Sequence, residues 1–339
     1  ILPGFDIAID RLAIERLTLA EGIAGDRAET LDLVAEVQLR DRRLKVDTSG
    51  ALQSGDRFAA LIDAAPDRDR FDLGLIYVAP EGGAIARIVG AQAPYTARIA
   101  GDGSWSRWDG SLLVRRGEDR FAAFRITNRS GSFGLLGQAE PGPALDGLLA
   151  DMLRGTVSLR AEATIEERRI EGKYLVSAPA FAARAEGLVD LAENRVGDLL
   201  VSANLRDPGL FGGLRLEDAT LAATLDGPLR DLAVDHTLEI GELTSGGTRI
   251  TDLRQQGRAR YDGVRWTIPL DARLARVATG NDLLDPRLVN GTVRGTALLN
   301  GQRLTAENLA LRFPTTSADV AVQGDLSRGL FGIAGDVRA

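Results

Sequence analysis

The feature that most constrains this chain is a period-two alternation of apolar and polar residues, repeated almost from end to end. A clear copy lies near the C-terminus, where Ala318, Val320 and Val322 alternate with Asp319 and Gln323. Successive side chains of a β-strand point to opposite faces, so such a segment has one apolar and one polar face. The pattern therefore predicts an all-β protein built from many short strands.

The turns between these strands predict how the strands are joined. Asp262-Gly263 and Asn300-Gly301 each lie between two alternating segments, and both pairs are typical of two-residue hairpin turns. Hairpins connect antiparallel neighbours. We therefore predict an antiparallel meander, in which each strand pairs with the next one along the chain.

The ionisable residues argue against several classes of function. The net charge is −7 with both signs interspersed, whereas a nucleic-acid-binding protein would carry a basic stripe. The chain has no cysteine and one histidine, His236, which we interpret as an ordinary strand residue. No catalytic or phosphate-loop motif is present. We predict no enzymatic activity, no catalytic residue, no metal, no cofactor and no nucleic-acid partner.

Two local groups of residues could either bind a ligand or serve a purely structural role. Asp67, Asp69 and Asp72 have the spacing of part of a calcium loop, but the following glycine and the distal glutamate are missing, which favours a solvated turn. Gly82-Gly83 precedes a predicted helical turn at residues 84–89 and could cradle a phosphate. A tight turn also explains the glycines at these positions, and we favour the turn over a phosphate site.

One helix interrupts the strands. The segment Glu140-Pro141-Gly142-Pro143 marks a candidate break at 140–155, and a helix is predicted from Ala144 to Arg154. Its apolar stripe consists of Leu145, Leu148, Leu149 and Met152. We expect this stripe to pack on the apolar sheet face and plug part of it. Apart from this break, 1–339 is predicted to be one continuous repetitive β segment.

The apolar face can be covered in several ways. Roughly two dozen strands of about 5 to 8 residues form too long a ladder for one open twisted sheet, and a single helix cannot cover its apolar side. Two sheets can pack as sandwiches, the sheet can coil into a filled solenoid, or it can curl into a trough with an apolar lining. The residues alone leave a filled core and an open trough as alternatives.

Three stretches carry a resemblance to a known family. They are Pro3–Ile7 continuing to Leu17, Gly55–Phe58 continuing through Asp69–Leu73 to Gly83, and the strand–glycine repeats of Gly291–Gly335. With these features the chain resembles the TamB family of the Gram-negative translocation and assembly module, within the AsmA-like group. The resemblance implies an elongated antiparallel meander curled into a trough (a β-taco) with an aliphatic lining and one or two short helices.

The resemblance also implies a function and a location. The expected function is a segment of a periplasmic bridge that carries phospholipids between the inner and outer membranes along a hydrophobic groove. The implied partners are phospholipid acyl chains, an outer-membrane barrel protein of the TamA type, and the inner membrane through an anchor absent from this fragment. Since the chain begins with Ile1 rather than Met, we expect it to be part of a longer protein.

An alternative function is a scaffold for outer-membrane protein assembly or secretion, which would present strand edges to client proteins. For the lipid bridge, the side chains expected to line the groove are aliphatic or aromatic. They are Val157, Leu159, Ile165, Leu199, Val201, Leu309, Leu311, Phe313, Val320, Val322, Phe331, Ile333 and Val337.

Overall fold

The structure, a computed structural model, describes residues 5–20, 28–84, 86, 93–326, 328 and 330–338. Within them the chain forms 22 strands of one antiparallel sheet. The helical segments are short: the α-helix α1 (Gly147–Met152) and 3-10 turns at Pro66–Arg68, Gly142–Ala144 and Asp285–Arg287. The predicted all-β meander with very few helices is confirmed. The chain divides into two compact units.

Unit 1 comprises Ile1–Asp146 and Gly155–Thr164. Each of its strands pairs antiparallel with the next, as the hairpin signals predicted. The strands are β1 (Ile7–Leu19), β2 (Glu29–Arg40), β3 (Arg43–Leu52), β4 (Arg57–Ala65), β5 (Arg70–Ala79), β6 (Tyr95–Gly103), β7 (Arg107–Arg116), β8 (Asp119–Arg129), β9 (Ser132–Ala139) and β10 (Val157–Glu166), whose last residues belong to unit 2.

Unit 2 comprises Gly147–Arg154 and Ile165–Ala339. Its strands are β11 (Arg169–Ser177), β12 (Phe181–Asp190), β13 (Arg195–Leu205), β14 (Leu214–Glu217), β15 (Thr220–Pro228), β16 (Leu232–Ser245), β17 (Thr248–Tyr261), β18 (Trp266–Ala278), β19 (Val289–Asn300), β20 (Arg303–Arg312), β21 (Ser317–Asp325) and β22 (Leu330–Arg338). The order of pairing departs from a simple meander at β14, because β14 and β15 both pair with the long strand β16 and β15 also pairs with β13.

The alternation in the sequence becomes an alternation in burial. In β2, Leu31, Ala35 and Leu39 are buried at 9%, 6% and 4% exposure, while Asp32 and Glu36 between them are exposed. Directly paired residues of antiparallel strands lie on the same face, and the register pairs apolar positions with apolar positions. A shift by one residue would turn every apolar side chain of a strand to the opposite face, so the pattern fixes the register.

The predicted helix from Ala144 to Arg154 was wrong at its ends, because the α-helix spans only Gly147–Met152. Leu145 lies before it in an extended conformation, with φ −124° and ψ 159°. Gly147 then has φ +62°, a left-handed value that favours glycine and breaks the helical run. Leu145 therefore does not share a helical stripe with Leu148 and Met152.

The predicted two-residue turn at Asp262-Gly263 was also wrong. Tyr261 pairs with Trp266, so the loop spans residues 262–265. The Asp262 carboxylate accepts hydrogen bonds from the backbone N–H groups of Val264 (3.1 Å) and Arg265 (2.9 Å), and this local bonding stabilises the longer loop.

The other predicted turn lies one residue later than expected. Asn300 pairs with Arg303, which leaves Gly301-Gln302 as the turn, and Gly301 has φ +57°. Of the helical turn predicted at 84–89, Ala84 and Ala86 are helical, and its other residues lie outside the described ones.

Candidate functional site

Unit 1 has an apolar face that crosses its strands in rows of directly paired residues. One row runs through Ala35, Thr48, Ala60, Leu75, Ile99, Leu112, Phe124, Gly137 and Leu159. Along a single strand the face is wide: from Leu31 to Leu39 it extends about 27 Å at ~3.4 Å per residue. The meander thus builds a broad apolar surface from residues that are far apart in sequence.

Unit 2 has an apolar face of the same construction. One row runs through Val176, Ala183, Ala203, Leu221, Leu238, Gln255, Ala272, Val293, Leu311 and Ala318. Gln255 is the polar member of this row. The apolar faces of the two units have the same origin, because in both the register aligns the apolar positions of successive strands.

The apolar side chains cluster along the sheet. In unit 2 a buried cluster of Ala297, Ala306 and Leu309 packs with side chains from β18 to β21, which are consecutive strands of the meander. In unit 1, Leu31 and Leu52 pack with Ala84 and with side chains from β1 to β4. Two sheets packed face to face would mix strands from distant parts of the meander. Within the described residues, neither cluster does so.

The structure places the predicted lining residues on these faces. Leu159, Leu199, Val201, Leu311, Phe313, Val320, Val322 and Phe331 are half-buried, and Val157 and Leu309 are buried. Ile165 and Ile333 are more open, at 47% and 71% exposure. Val337 pairs with Ala318, but its side chain lies outside the described part of the structure. That these residues contact lipid stays a prediction.

The helix predicted to plug the groove exposes part of its stripe. Leu149 is 58% exposed, while Leu148, Met152 and the preceding Leu145 are half-buried. With only one and a half turns and no fully buried residue, α1 covers little apolar area. Its role as a plug stays a prediction.

Aromatic rings on the apolar faces lie over glycines of the neighbouring strand. Phe58 pairs directly with Gly50, and Phe331 pairs with Gly324. In both pairs the ring leaves no room for a Cβ on the glycine. Each ring therefore fills the gap left by the missing side chain instead of projecting from the face. These aromatic–glycine pairs were not predicted, and their signal in the sequence is a glycine opposite an aromatic residue across a predicted hairpin.

A polar group interrupts the apolar face of unit 2. Gln255, 6% exposed, donates a hydrogen bond to the Pro269 carbonyl (3.0 Å) and accepts one from the Asp271 N–H (2.9 Å). Proline has no N–H to donate, and the β17–β18 pairing is interrupted between the pairs Gln256–Asp271 and Arg260–Thr267. The glutamine amide therefore supplies two hydrogen bonds to β18 next to the interrupted segment. His236 lies beside it on β16, with Nε2 3.4 Å from the amide nitrogen.

A buried carboxylate anchors one rim of the apolar face in unit 1. Asp56 is fully buried and accepts hydrogen bonds from the Ser54 hydroxyl (2.8 Å), the Tyr77 hydroxyl (3.0 Å) and the Ala84 N–H (2.6 Å). Burial, followed by the adjacent Asp56 charge, raises the pKa of Tyr77. This network holds Ala84, itself 1% exposed, against Leu31 and Leu52 at the end of the face.

The two clusters that admitted a binding role have structural partners. Asp67 pairs with Arg42 and Asp72 with Arg70. Asp69 accepts bonds from the Ser106 hydroxyl (2.6 Å) and the Trp105 N–H (3.0 Å), and the Ser106 bond is the main cause that lowers the pKa of Asp69. No group of three or more metal-ligating side chains occurs among the described residues.

The Gly82-Gly83 pair lies in the turn that leads to the buried Asp56. The Gly83 N–H donates to the Pro80 carbonyl (3.0 Å), so this donor is used within the turn itself.

The opposite face of unit 2 is charged and carries a separate groove. Cross-strand ion pairs such as Arg254–Glu239 (3.0 Å) and Lys173–Glu186 (2.8 Å) cover this face. A groove of about 810 Å³ lies among them. Its lining consists of Arg184, Glu186, Leu200, Val201, Ser202, Ala222, Ala223, Thr224, Asp235, His236, Thr237, Gln256 and Gly257. Because this groove opens on the charged face of the sheet, it is separate from the apolar face that we regard as the candidate site.

Comparison with known proteins adds no further assignment. No family model, curated protein or solved structure matches this chain. Within the described residues, no helix has both the length and the apolar character needed to span a membrane.

Proposed function

We propose that this chain is a segment of a periplasmic, inner-membrane-anchored bridge of the TamB type that carries phospholipids between the two membranes of a Gram-negative envelope. The observation that carries this proposal is the broad apolar face in each unit, along which most residues of the rows described above are only half-buried. Within the described residues, its buried clusters join neighbouring strands and, in unit 1, Ala84 at the rim. On this proposal the protein is not an enzyme, and it needs no cofactor.

The chemistry of such a face suits sliding more than tight capture. Burial of apolar surface gains about 25 cal/mol per Å² without directional preference, so an acyl chain gains similar free energy at any position. Aliphatic side chains dominate the rows, and the rings of Phe58 and Phe331 fill gaps over glycines. The face therefore offers few recessed sites that would trap a chain.

The test replaces a row of lining residues with charges. In β20 and β21 we would combine Leu311→Glu, Val320→Asp and Val322→Asp, all at half-buried positions of the apolar face. A charged side chain in contact with an acyl chain carries a large desolvation penalty, so we expect bound phospholipid to fall strongly while circular dichroism retains the β signal. Phospholipid that co-purifies with the chain would be measured by mass spectrometry.

The matched control places a charge on the same strand but on its polar face, as Ala321→Asp. This variant should bind as much phospholipid as the unmodified chain. Equal lipid content in the lining variant and in this control would contradict the proposal, and so would an unmodified chain that carries no phospholipid.

A second candidate function is the scaffold for outer-membrane protein assembly, with an outer-membrane barrel partner of the TamA type. It is favoured by one observation: β22 pairs with β21 along its length, and its Leu330 and Ile333 are 65% and 71% exposed. Among the described residues β22 pairs with β21 alone, and a strand with one unpaired side can accept a further strand. Crosslinks from β22 to client proteins, with none from the lining to lipid, would favour this function over the lipid bridge.

A further inference from the structure

At the rim of the apolar face in unit 1, a small pocket combines charges of both signs. Its volume is about 410 Å³, and its lining consists of Arg116, Asp119, Arg120, Phe121, Glu140 and Pro143. This volume lies at the lower end of the range of about 300–1,000 Å³ seen for small-molecule sites. The pocket can therefore hold a polar headgroup but not a whole lipid.

The charged side chains of this pocket are unpaired. Elsewhere in unit 1 arginines and carboxylates form ion pairs, as Arg129 does with Asp109 at 2.7 Å. In the described part of the chain, no ion pair or side-chain hydrogen bond engages the arginines or carboxylates of the pocket. Two guanidinium groups and two carboxylates thus line one pocket without a direct ion pair, although Arg116 and Asp119 are register partners.

Buried polar atoms beside the pocket also lack partners. The Nε–H of Arg116 and the hydroxyl of Tyr95 are both buried without a hydrogen-bond partner. Most buried polar atoms in proteins are hydrogen-bonded, so such atoms indicate a missing ligand or ordered water. Tyr95 pairs directly with Arg116 and packs edge-on against Phe121, with ring centroids 5.2 Å apart.

A bulge in the hairpin gives the pocket its place at the rim. The β7–β8 register shifts between Val114 and Arg115, which inserts Phe121 as an extra residue of β8. Bulges re-aim side chains at the ends of paired segments. The next row of the sheet contains Val114, Ala122 and Val157, the last two buried at 6% and 7% exposure. The pocket thus adjoins the apolar face.

We propose that this pocket binds the headgroup of a zwitterionic glycerophospholipid that carries a primary ammonium group, as in phosphatidylethanolamine. This inference rests on the proposed function, because the acyl chains would lie on the adjoining apolar face. The phosphate would accept hydrogen bonds from Arg116 and Arg120, and the guanidinium fork suits phosphate oxygens. The ammonium would donate to Glu140 and Asp119. A purely anionic headgroup would leave both carboxylates unpaired.

The test measures binding of three probes: short-chain phosphatidylethanolamine, short-chain phosphatidylglycerol and glycerophosphoethanolamine, which lacks acyl chains. We expect the unmodified chain to prefer the ethanolamine lipid over both others. Arg116→Gln and Arg120→Gln should each weaken its binding about tenfold, as expected for loss of a charge-assisted hydrogen bond. Glu140→Gln should abolish the preference for ethanolamine over glycerol. Arg125→Gln, at an exposed arginine of β8 that does not line the pocket, is the matched control and should bind normally.

Thermal unfolding controls for folding, and we expect no loss of melting temperature in Arg116→Gln. Binding of the lipids equally by all variants, whatever the headgroup, would overturn the headgroup pocket and leave the proposed function standing. Binding of glycerophosphoethanolamine that depends on Arg116, without binding of either lipid, would support the pocket as a phosphoethanolamine site and contradict the lipid bridge. Binding of none of the probes would overturn both.

Discussion

Two polar sites at the same rim of the apolar face in unit 1 differ in one respect. At the first, the buried Asp56 carboxylate accepts hydrogen bonds from Ser54, Tyr77 and Ala84. At the second, Tyr95 and Arg116 each bury a polar atom that has no partner. The two sites lie on adjacent strands, since Ala79 at the end of β5 pairs with Tyr95 at the start of β6.

The difference separates a structural role from a binding role. A satisfied network stabilises the fold, and removal of one member leaves others buried without partners. Unsatisfied atoms destabilise the free protein and gain most from a ligand. We therefore expect substitutions at Asp56 to change stability, and substitutions at Tyr95 or Arg116 to change binding. Four predictions test this contrast, in order of decreasing effect.

The largest effect is expected for Asp56→Asn. The amide replaces an acceptor with a donor that faces the Tyr77 hydroxyl or the Ala84 N–H, so buried donors lose their partner. We expect the free energy of unfolding to fall by about 3 kcal/mol. Urea denaturation measures this change. Asp47→Asn, at an exposed position of β3, is the control and should shift stability by less than ~0.5 kcal/mol.

A similar but smaller loss is expected in unit 2 for Gln255→Leu. The leucine fits an apolar face, yet the Pro269 carbonyl and the Asp271 N–H would lose their partner. We expect the free energy of unfolding, measured by urea denaturation, to fall by about 2 kcal/mol. Gln256→Leu, at the neighbouring exposed position, should be near neutral. If Gln255→Leu and Gln256→Leu changed the free energy of unfolding equally, the hydrogen bonds of Gln255 would not be a source of stability.

The sharpest form of the comparison is a matched pair of tyrosine substitutions. Tyr77→Phe removes the hydroxyl that donates a hydrogen bond to Asp56, and we expect the free energy of unfolding to fall by about 1.5 kcal/mol. Tyr95→Phe removes a hydroxyl that has no partner, so stability should stay the same or rise by up to ~1 kcal/mol. Thermal unfolding of both variants decides this. A larger loss in Tyr95→Phe than in Tyr77→Phe would reverse our assignment of the two sites.

The smallest effect is a dependence on alkaline pH. The pKa of Tyr77 is raised in the folded protein, so folding favours its protonated form. Its contribution to stability is complete below the pKa of about 10 in the unfolded chain and is lost as the pH rises above it. Between pH 9 and 11, stability should therefore fall more steeply in the unmodified chain than in Tyr77→Phe. Parallel curves would show that Tyr77 titrates normally.

The alternation of residue types was sufficient to predict the strands and their pairing. In β21, the positions of Val320 and Val322 gave both the strand and the face, because local periodicity and tertiary burial agree there. The ends of elements were harder. Asp262 bonds its own loop and Gly147 adopts a left-handed conformation, and each local interaction overrode a pattern that the neighbouring residues suggested.

The polar sites could not be predicted from the sequence. Asp56 meets Tyr77 and Ala84 only because β4 and β5 pair and the chain returns over the rim. The pocket at Arg116 depends on a bulge, and no periodicity marks the extra residue in advance. Sequence patterns describe one strand at a time, whereas these sites arise from the register of several strands and from the loops that connect them.

Pro269 in a central strand has a mechanical consequence. Between the pairs Gln256–Asp271 and Arg260–Thr267, where β17 and β18 are not paired, the Gln255 side chain makes two hydrogen bonds to β18. Segments with few backbone hydrogen bonds open at lower free energy than their surroundings. Amide hydrogen exchange should therefore be fastest around Gly257 within β17. Local opening there would let the angle between β17 and β18 change while the paired segments on either side keep their hydrogen bonds.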